Sequence, residues 1–150
     1  MANPPPKALL SIDFDGTLVD SDSLDPLVDE LSVILHRLQR AGVLWSMNTG
    51  RSVAFSVEGL LKHCVQPLPD FLIAREREIY YRNQFNRWVD YGDWNKRCNK
   101  AHSKLFKRSK KILSAIRQFV ESETDASFIQ SSEEPCGIIA SNDEEMEEIC

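Results

Sequence analysis

The chain has 150 residues, 42% apolar and 27% charged, which suits one ordinary globular domain and is too apolar for a disordered chain. Its first apolar stretch, Ala8-Leu9-Leu10-Ser11-Ile12, is broken by Asp13, so it is neither a membrane span nor a signal-peptide core. The net charge of −5 hides segregation: Trp94–Val120 holds 9 basic residues and no acidic one, and Glu121 to the end holds 10 acidic and no basic one. Met1–Pro6 reads as a short stiff leader. Lys7–Phe14 then reads as a fully buried parallel strand, bounded by prolines and by Asp15-Gly16. Pro26–Gln39 sets Leu27, Leu31, Ile34, Leu35 and Leu38 at helical spacing, with Asp25 as N-cap and Gly42 past the end. Val43–Met47 is a second buried strand with Trp45 in the core, Ser52–Cys64 a second helix and Phe71–Ala74 a third strand.

Strand, helix, strand, helix, strand is the pattern of right-handed crossovers over a parallel sheet. Beyond it, Glu78–Tyr81 and Arg87–Val89 flank a polar loop and predict a β-hairpin. A long helix follows, with Leu105, Ile112, Leu113, Ile116, Phe119 and Val120 on one face and its lysines and arginines on the other. No aromatic-rich motif accompanies this basic run, so a solvated helix face is expected, with no nucleic-acid partner. Ala126–Gln130 and Gly137–Ala140 are two more strands, and Asp143 opens a last helix. The expected fold class is therefore α/β, a Rossmann-like parallel sheet in residues 1–74, followed from Arg75 to residue 150 by an α+β part. Cys64, Cys98, Cys136 and Cys150 show no paired spacing, which excludes a zinc knuckle or a disulfide framework and fits a reducing cytoplasm.

Ligands of open parallel sheets sit beyond the carboxyl ends of the strands. Asp13-Phe14-Asp15-Gly16-Thr17-Leu18 ends the first strand and Asn48-Thr49-Gly50-Arg51 the second. Asp13 and Asp15 repel one another and call for a hard cation such as Mg²⁺. Gly16 frees a turn, Thr17 and Thr49 offer hydroxyls, and Gly50 lets backbone N–H groups approach an anion where the second helix begins. Glu76 and Glu78 read as surface residues. A rival reading is a Ca²⁺-binding EF-hand-like loop from Ser11 to Asp22. Pro4-Pro5-Pro6 opposes the helix such a loop needs before it, and strand or helix over Lys7–Ile12 discriminates the two.

The first cluster resembles the first motif of the haloacid-dehalogenase-like phosphatase superfamily. Asn48-Thr49-Gly50-Arg51 resembles the second motif of its sucrose-phosphatase-like and Cof-type branch, and Phe71-Leu72-Ile73-Ala74 followed by Ile79-Tyr80-Tyr81 is similar to the same branch. The resemblance implies a Mg²⁺-dependent phosphatase acting on a small phosphorylated substrate, with residues 75–150 as an α+β cap. In that family's terms Asp13 is the nucleophile that becomes an aspartyl-phosphate, and Asp15 the general acid and base. The Asp13 carboxylate and the Asp15 carbonyl hold the metal. Thr49 and Gly50 hold the phosphoryl group within a pocket to which Gly16, Thr17, Asn48 and Arg51 belong. The family's later lysine and acidic pair have no clear counterpart. Ser141-Asn142-Asp143-Glu144-Glu145-Met146 echoes part of the acidic motif only, so the chain resembles the first part of a longer phosphatase. A non-catalytic metal- or phosphate-binding module is the alternative.

Overall fold

The computed structural model describes residues 5–20, 27–130 and 136–149. The start of the leader and the proposed cap at Asp25 lie outside them. In chain order the first elements are β1 (Ala8–Asp13), α1 (Asp29–Arg40), β2 (Val43–Thr49), α2 (Val53–Lys62) and β3 (Phe71–Ala74). They are followed by β4 (Glu78–Arg82), β5 (Trp88–Asp90), α3 (Trp94–Glu123), β6 (Ser127–Ile129), β7 (Gly137–Ile139) and α4 (Asp143–Ile149). The strand at Ala8–Asp13 rules out the EF-hand reading, which needs a helix there.

β1, β2 and β3 pair in parallel, and β4 and β5 extend the same sheet antiparallel, in the order β1-β2-β3-β4-β5. The side-chain period of two gives the sheet one buried face, made by Trp45, Met47 and Thr49 of β2 with Leu72 and Ala74 of β3. Leu35 of α1 and Leu60 of α2 share the core with them, together with Phe14, Leu18 and Val65. Leu27 also belongs to this core but precedes the helix. α1 starts at Asp29, has Val28 at its N-cap position and makes no side-chain cap bond. α2 is capped by Ser52, whose hydroxyl accepts the Phe55 N–H at 3.4 Å.

One feature differs from the sequence expectation. β1 is the edge strand, and among the described residues no strand pairs with its outer side. Its other face is open as well: Leu9 is 59% exposed, so the strand is not the fully buried one its apolar run suggests. β3 pairs with β4, so the hairpin extends the first sheet, and by compactness the chain divides into units at 1–95 and 96–150.

In the second unit β6 and β7 form an antiparallel ribbon beside the basic helix α3. Val120 is buried and Leu113 half-buried, while Leu105, Ile112 and Phe119 of the same apolar stripe are largely exposed. Asn142 caps α4 by accepting the Glu145 N–H at 2.9 Å, and Glu145 reaches back to the N–H and hydroxyl of Ser141, both at 2.6 Å. Those hydrogen bonds hold the Glu145 carboxyl below its usual range. The Ser141–Met146 segment is thus a helix start, built by local capping. Among the described residues, no helix is long and apolar enough to cross a membrane.

One carboxylate ties the first unit together. Asp70, just before β3, accepts the Trp45 N–H of β2 at 2.9 Å and Gln39 Nε2 of α1 at 3.1 Å. Asp70→Ala leaves a half-buried backbone donor unsatisfied and should cost about 2 kcal/mol, whereas Asp70→Asn keeps an acceptor and should cost about half as much. Urea unfolding of the three proteins measures the difference.

Candidate active site

The register of β1 on β2 sets Asp13 opposite Asn48, with Thr49 the next residue on the neighbouring strand. Both clusters therefore stand at one carboxyl edge of one sheet, where the sequence places them. Beyond Asp13 the chain closes a tight loop: Leu18 N–H donates to the Asp13 carbonyl at 3.2 Å, and Gly16 and Val19 bond through Gly16 N–H to Val19 O at 2.9 Å. Gly16 takes φ +71°, a left-handed conformation that is costly for residues with a Cβ. Phe14 and Leu18 bury themselves and anchor the loop, which leaves Asp13 and Thr17 exposed and Asp15 half-buried.

Asp13 accepts the N–H of Phe14 on Oδ1 at 2.7 Å and forms no ion pair among the described residues. Thr49 is 4% exposed, and its Oγ1 accepts the Arg51 N–H at 3.2 Å. With that lone pair occupied, the hydroxyl proton can be given to an arriving oxygen anion. Gly50 beside it is exposed, and nothing lies within 4 Å of where a side chain would start, so the backbone itself is approachable. Asn48 is exposed at the strand end.

Arg51 points at Asp15. Its Nε donates to Oδ2 at 2.8 Å and its Nη2 to Oδ1 at 2.5 Å, a two-pronged pair in which each side chain is a little over one-third exposed. Hydrogen bonding to Asp15 raises the guanidinium's pKa further, outweighing the opposing effect of burial.

The oxygen donors here suit a hard divalent cation. Asp13 keeps a carboxylate oxygen outside its bond to Phe14, whereas the side chain of Asp15 is committed to Arg51. Mg²⁺ tolerates such a sparse set because it retains water and takes its remaining ligands from substrate phosphate. No group of three His, Cys, Asp or Glu side chains among the described residues makes a closed metal cage.

A second charged cluster backs the loop and departs from the sequence reading. Glu78 is 3% exposed, not a surface residue, because it pairs with Ala74 and shares the buried face with Thr49. Arg75 stands 3.6 Å from its Oε1, and the Tyr80 hydroxyl donates to its Oε2 at 2.9 Å. Arg75 and Glu76 make the β3–β4 turn at φ +50° and +58°. Their N–H groups bond to the Arg51 and Thr49 carbonyls at 3.0 and 3.4 Å, so the turn braces the second cluster. The period-two alternation of Glu78-Ile79-Tyr80 was the available signal, since it puts Glu78 on the same face as Tyr80.

Burial, and then the hydrogen bond to Glu78, push the Tyr80 phenol well above its ordinary value of 10.0. Folding therefore favours the protonated phenol. This contribution is intact below the unfolded-state value and fades as pH rises past it, because only the unfolded chain then sheds the proton. Melting temperature should fall between about pH 9 and pH 11, with a shallower fall in Tyr80→Phe. Equal slopes in the two proteins would contradict the assignment.

The model of the sucrose-6F-phosphate phosphohydrolase family matches residues 6–135. No curated protein is significantly similar in sequence. Among solved structures, the chain is similar to yhjK, a haloacid dehalogenase-like hydrolase protein from Bacillus subtilis, at TM-score 0.52 and 19% identity over 85% of this chain and 46% of that one. A second haloacid dehalogenase-like hydrolase from B. subtilis matches 73% of this chain and 33% of its own, at TM-score 0.47 and 22% identity. The chain thus spans less than half the length of these relatives, and the first likeness shows a common haloacid dehalogenase-like fold.

Proposed function

We propose, since this chain belongs to the sucrose-6F-phosphate phosphohydrolase family, that the protein acts as a Mg²⁺-dependent phosphatase on a small, sugar-phosphate-like monoester. The observation that carries the reading is the juxtaposition of Asp13 and Thr49 on paired parallel strands. One is an exposed carboxylate with no protein cation among the described residues, and the other a buried hydroxyl with its proton to give. We assign residues 1–74 to the catalytic core and 75–150 to an α+β cap. The free thiols of Cys64, Cys98 and Cys136 agree with a cytoplasmic setting.

In this scheme a carboxylate oxygen of Asp13 attacks phosphorus in line with the leaving oxygen. The P–O bond to the alcohol breaks as the new P–O bond to Asp13 forms. Asp15 gives the proton it carries on one oxygen to the departing alkoxide and closes, ionised, on the Arg51 fork; it then takes a proton from the water that attacks phosphorus and releases phosphate, restoring both carboxyl groups. Thr49 donates its hydroxyl to a phosphoryl oxygen, and the Gly50 backbone adds a neutral donor that needs no side-chain room. Mg²⁺, held by the Asp13 carboxylate and the Asp15 carbonyl, would offset phosphoryl charge. Gly16 shapes the loop that brings both carboxylates to this edge, with Thr17 and Asn48 at its rim.

The test is turnover of a generic phosphomonoester with Mg²⁺ by the full-length protein. Asp13→Asn should abolish it, since an amide of the same shape is no nucleophile. Asp15→Asn should cost roughly 10²–10⁴-fold in kcat. Thr49→Ala should be the mildest of the three, because one hydrogen bond is lost. Near wild-type turnover by Asp13→Asn would eliminate the covalent route.

A further inference from the structure

Arg51 follows the glycine of the proposed phosphate loop, a place from which a guanidinium could reach substrate. Its surroundings direct it elsewhere. Its backbone is pinned on both sides, with its N–H bonded to Thr49 Oγ1 and its carbonyl accepting Arg75 N–H. The guanidinium lies over the Phe14 ring, with Cζ 5.0 Å from the centroid, and spends two donors on the two oxygens of Asp15. Phe14 is wholly buried and has His63 at its edge, centroids 6.0 Å apart, so the ring is a fixed platform.

The platform has a seat. Gly59 lies inside α2, where a glycine weakens a helix and alanine would be better locally. A Cβ at that position would stand 2.8 Å from two carbons of the Phe14 ring and 3.5 Å from Arg51 Nη1. The missing side chain is what lets the ring sit against the helix with the guanidinium on top. Helix backbone, ring, guanidinium and carboxylate form one stack that ends at Asp15.

We propose that Arg51 is a positioning residue acting on the reaction only through Asp15, with Phe14 and Gly59 setting its height. The functional part rests on the reading of Asp15 as the proton-transfer group. Two parallel bonds from a planar fork fix both the place and the plane of a carboxylate, which a lysine ammonium cannot do. The cost of losing Arg51 should therefore appear in kcat and vanish once Asp15 has no proton to transfer.

A double-mutant cycle in the full-length protein tests this, joined to a readout that needs no turnover. Arg51→Ala should lower kcat by on the order of 10²-fold with KM within about twofold. Added guanidinium ion should restore part of the rate, and Arg51→Lys should stay impaired despite its charge. In an Asp15→Asn background, Arg51→Ala should cost nothing further. A rise in KM that persists in that background would overturn the proposal, because Arg51 would then be contacting substrate. Without substrate, the Arg51 Nε–H resonance, identified by its loss in Arg51→Lys, should shift in both Asp15→Asn and Gly59→Ala. A signal unmoved by either change would refute the stack. Absence of any phosphomonoester turnover by the unsubstituted protein with Mg²⁺ would instead remove the phosphatase reading, while the resonance still judges the stack.

Discussion

The parallel register between β1 and β2 is the constraint on which the chemistry of this molecule depends. Hydrogen-bonded pairing sets Asp13 opposite Asn48, and a slip of one residue would send every side chain of β1 to the other face. The register is held from the buried side by Trp45 and Met47 packing with Leu35 and Leu60. At the far end of β2, the bonds of Asp70 to Trp45 and Gln39 tie the strand to α1 and the approach to β3. Apolar packing and one buried polar junction thus determine where two short polar clusters meet.

At that meeting place the charges are sorted. The carboxylate of Asp15 is matched by Arg51, and the buried carboxylate of Glu78 by Arg75 and the Tyr80 hydroxyl. Both matched groups are held in one orientation and help to brace the loops. Asp13 alone of the three is exposed, and among the described residues its side chain bonds to the backbone N–H of Phe14 and to no cation. A carboxylate left in that condition suits both roles proposed for it, attack on phosphorus and contact with a divalent cation, since either requires an oxygen that no protein cation already holds.

Much of this was legible in the residues. The short apolar runs and the helical spacing between them gave the alternation of elements, and their polar ends gave the two clusters, because chain polarity alone brings both to one sheet edge. Pairing partners were the harder part. An apolar run such as Ala8–Ile12 does not say whether both its sides are covered, and among the described residues one edge is open. The hairpin Glu78–Asp90 joins the first sheet through bonds to β3 that no local pattern announces. Glu78 reads as surface for a related reason: its cation and phenol are close in sequence, but only the pairing of β4 with β3 turns Glu78 and Tyr80 to the buried face. Arg51 stands among the site residues, but its direction comes only from the fold, since Asp15 and Phe14 are far from it in sequence and adjacent in space.

The covalent role of Asp13 is the centre of this account, and chemical capture tests it most directly. The full-length protein, quenched during turnover of a phosphomonoester with Mg²⁺ and reduced with borohydride, should carry homoserine at position 13, the product of reducing an aspartyl-phosphate. Turnover that leaves position 13 as aspartate, or homoserine found at position 15 instead, would contradict it.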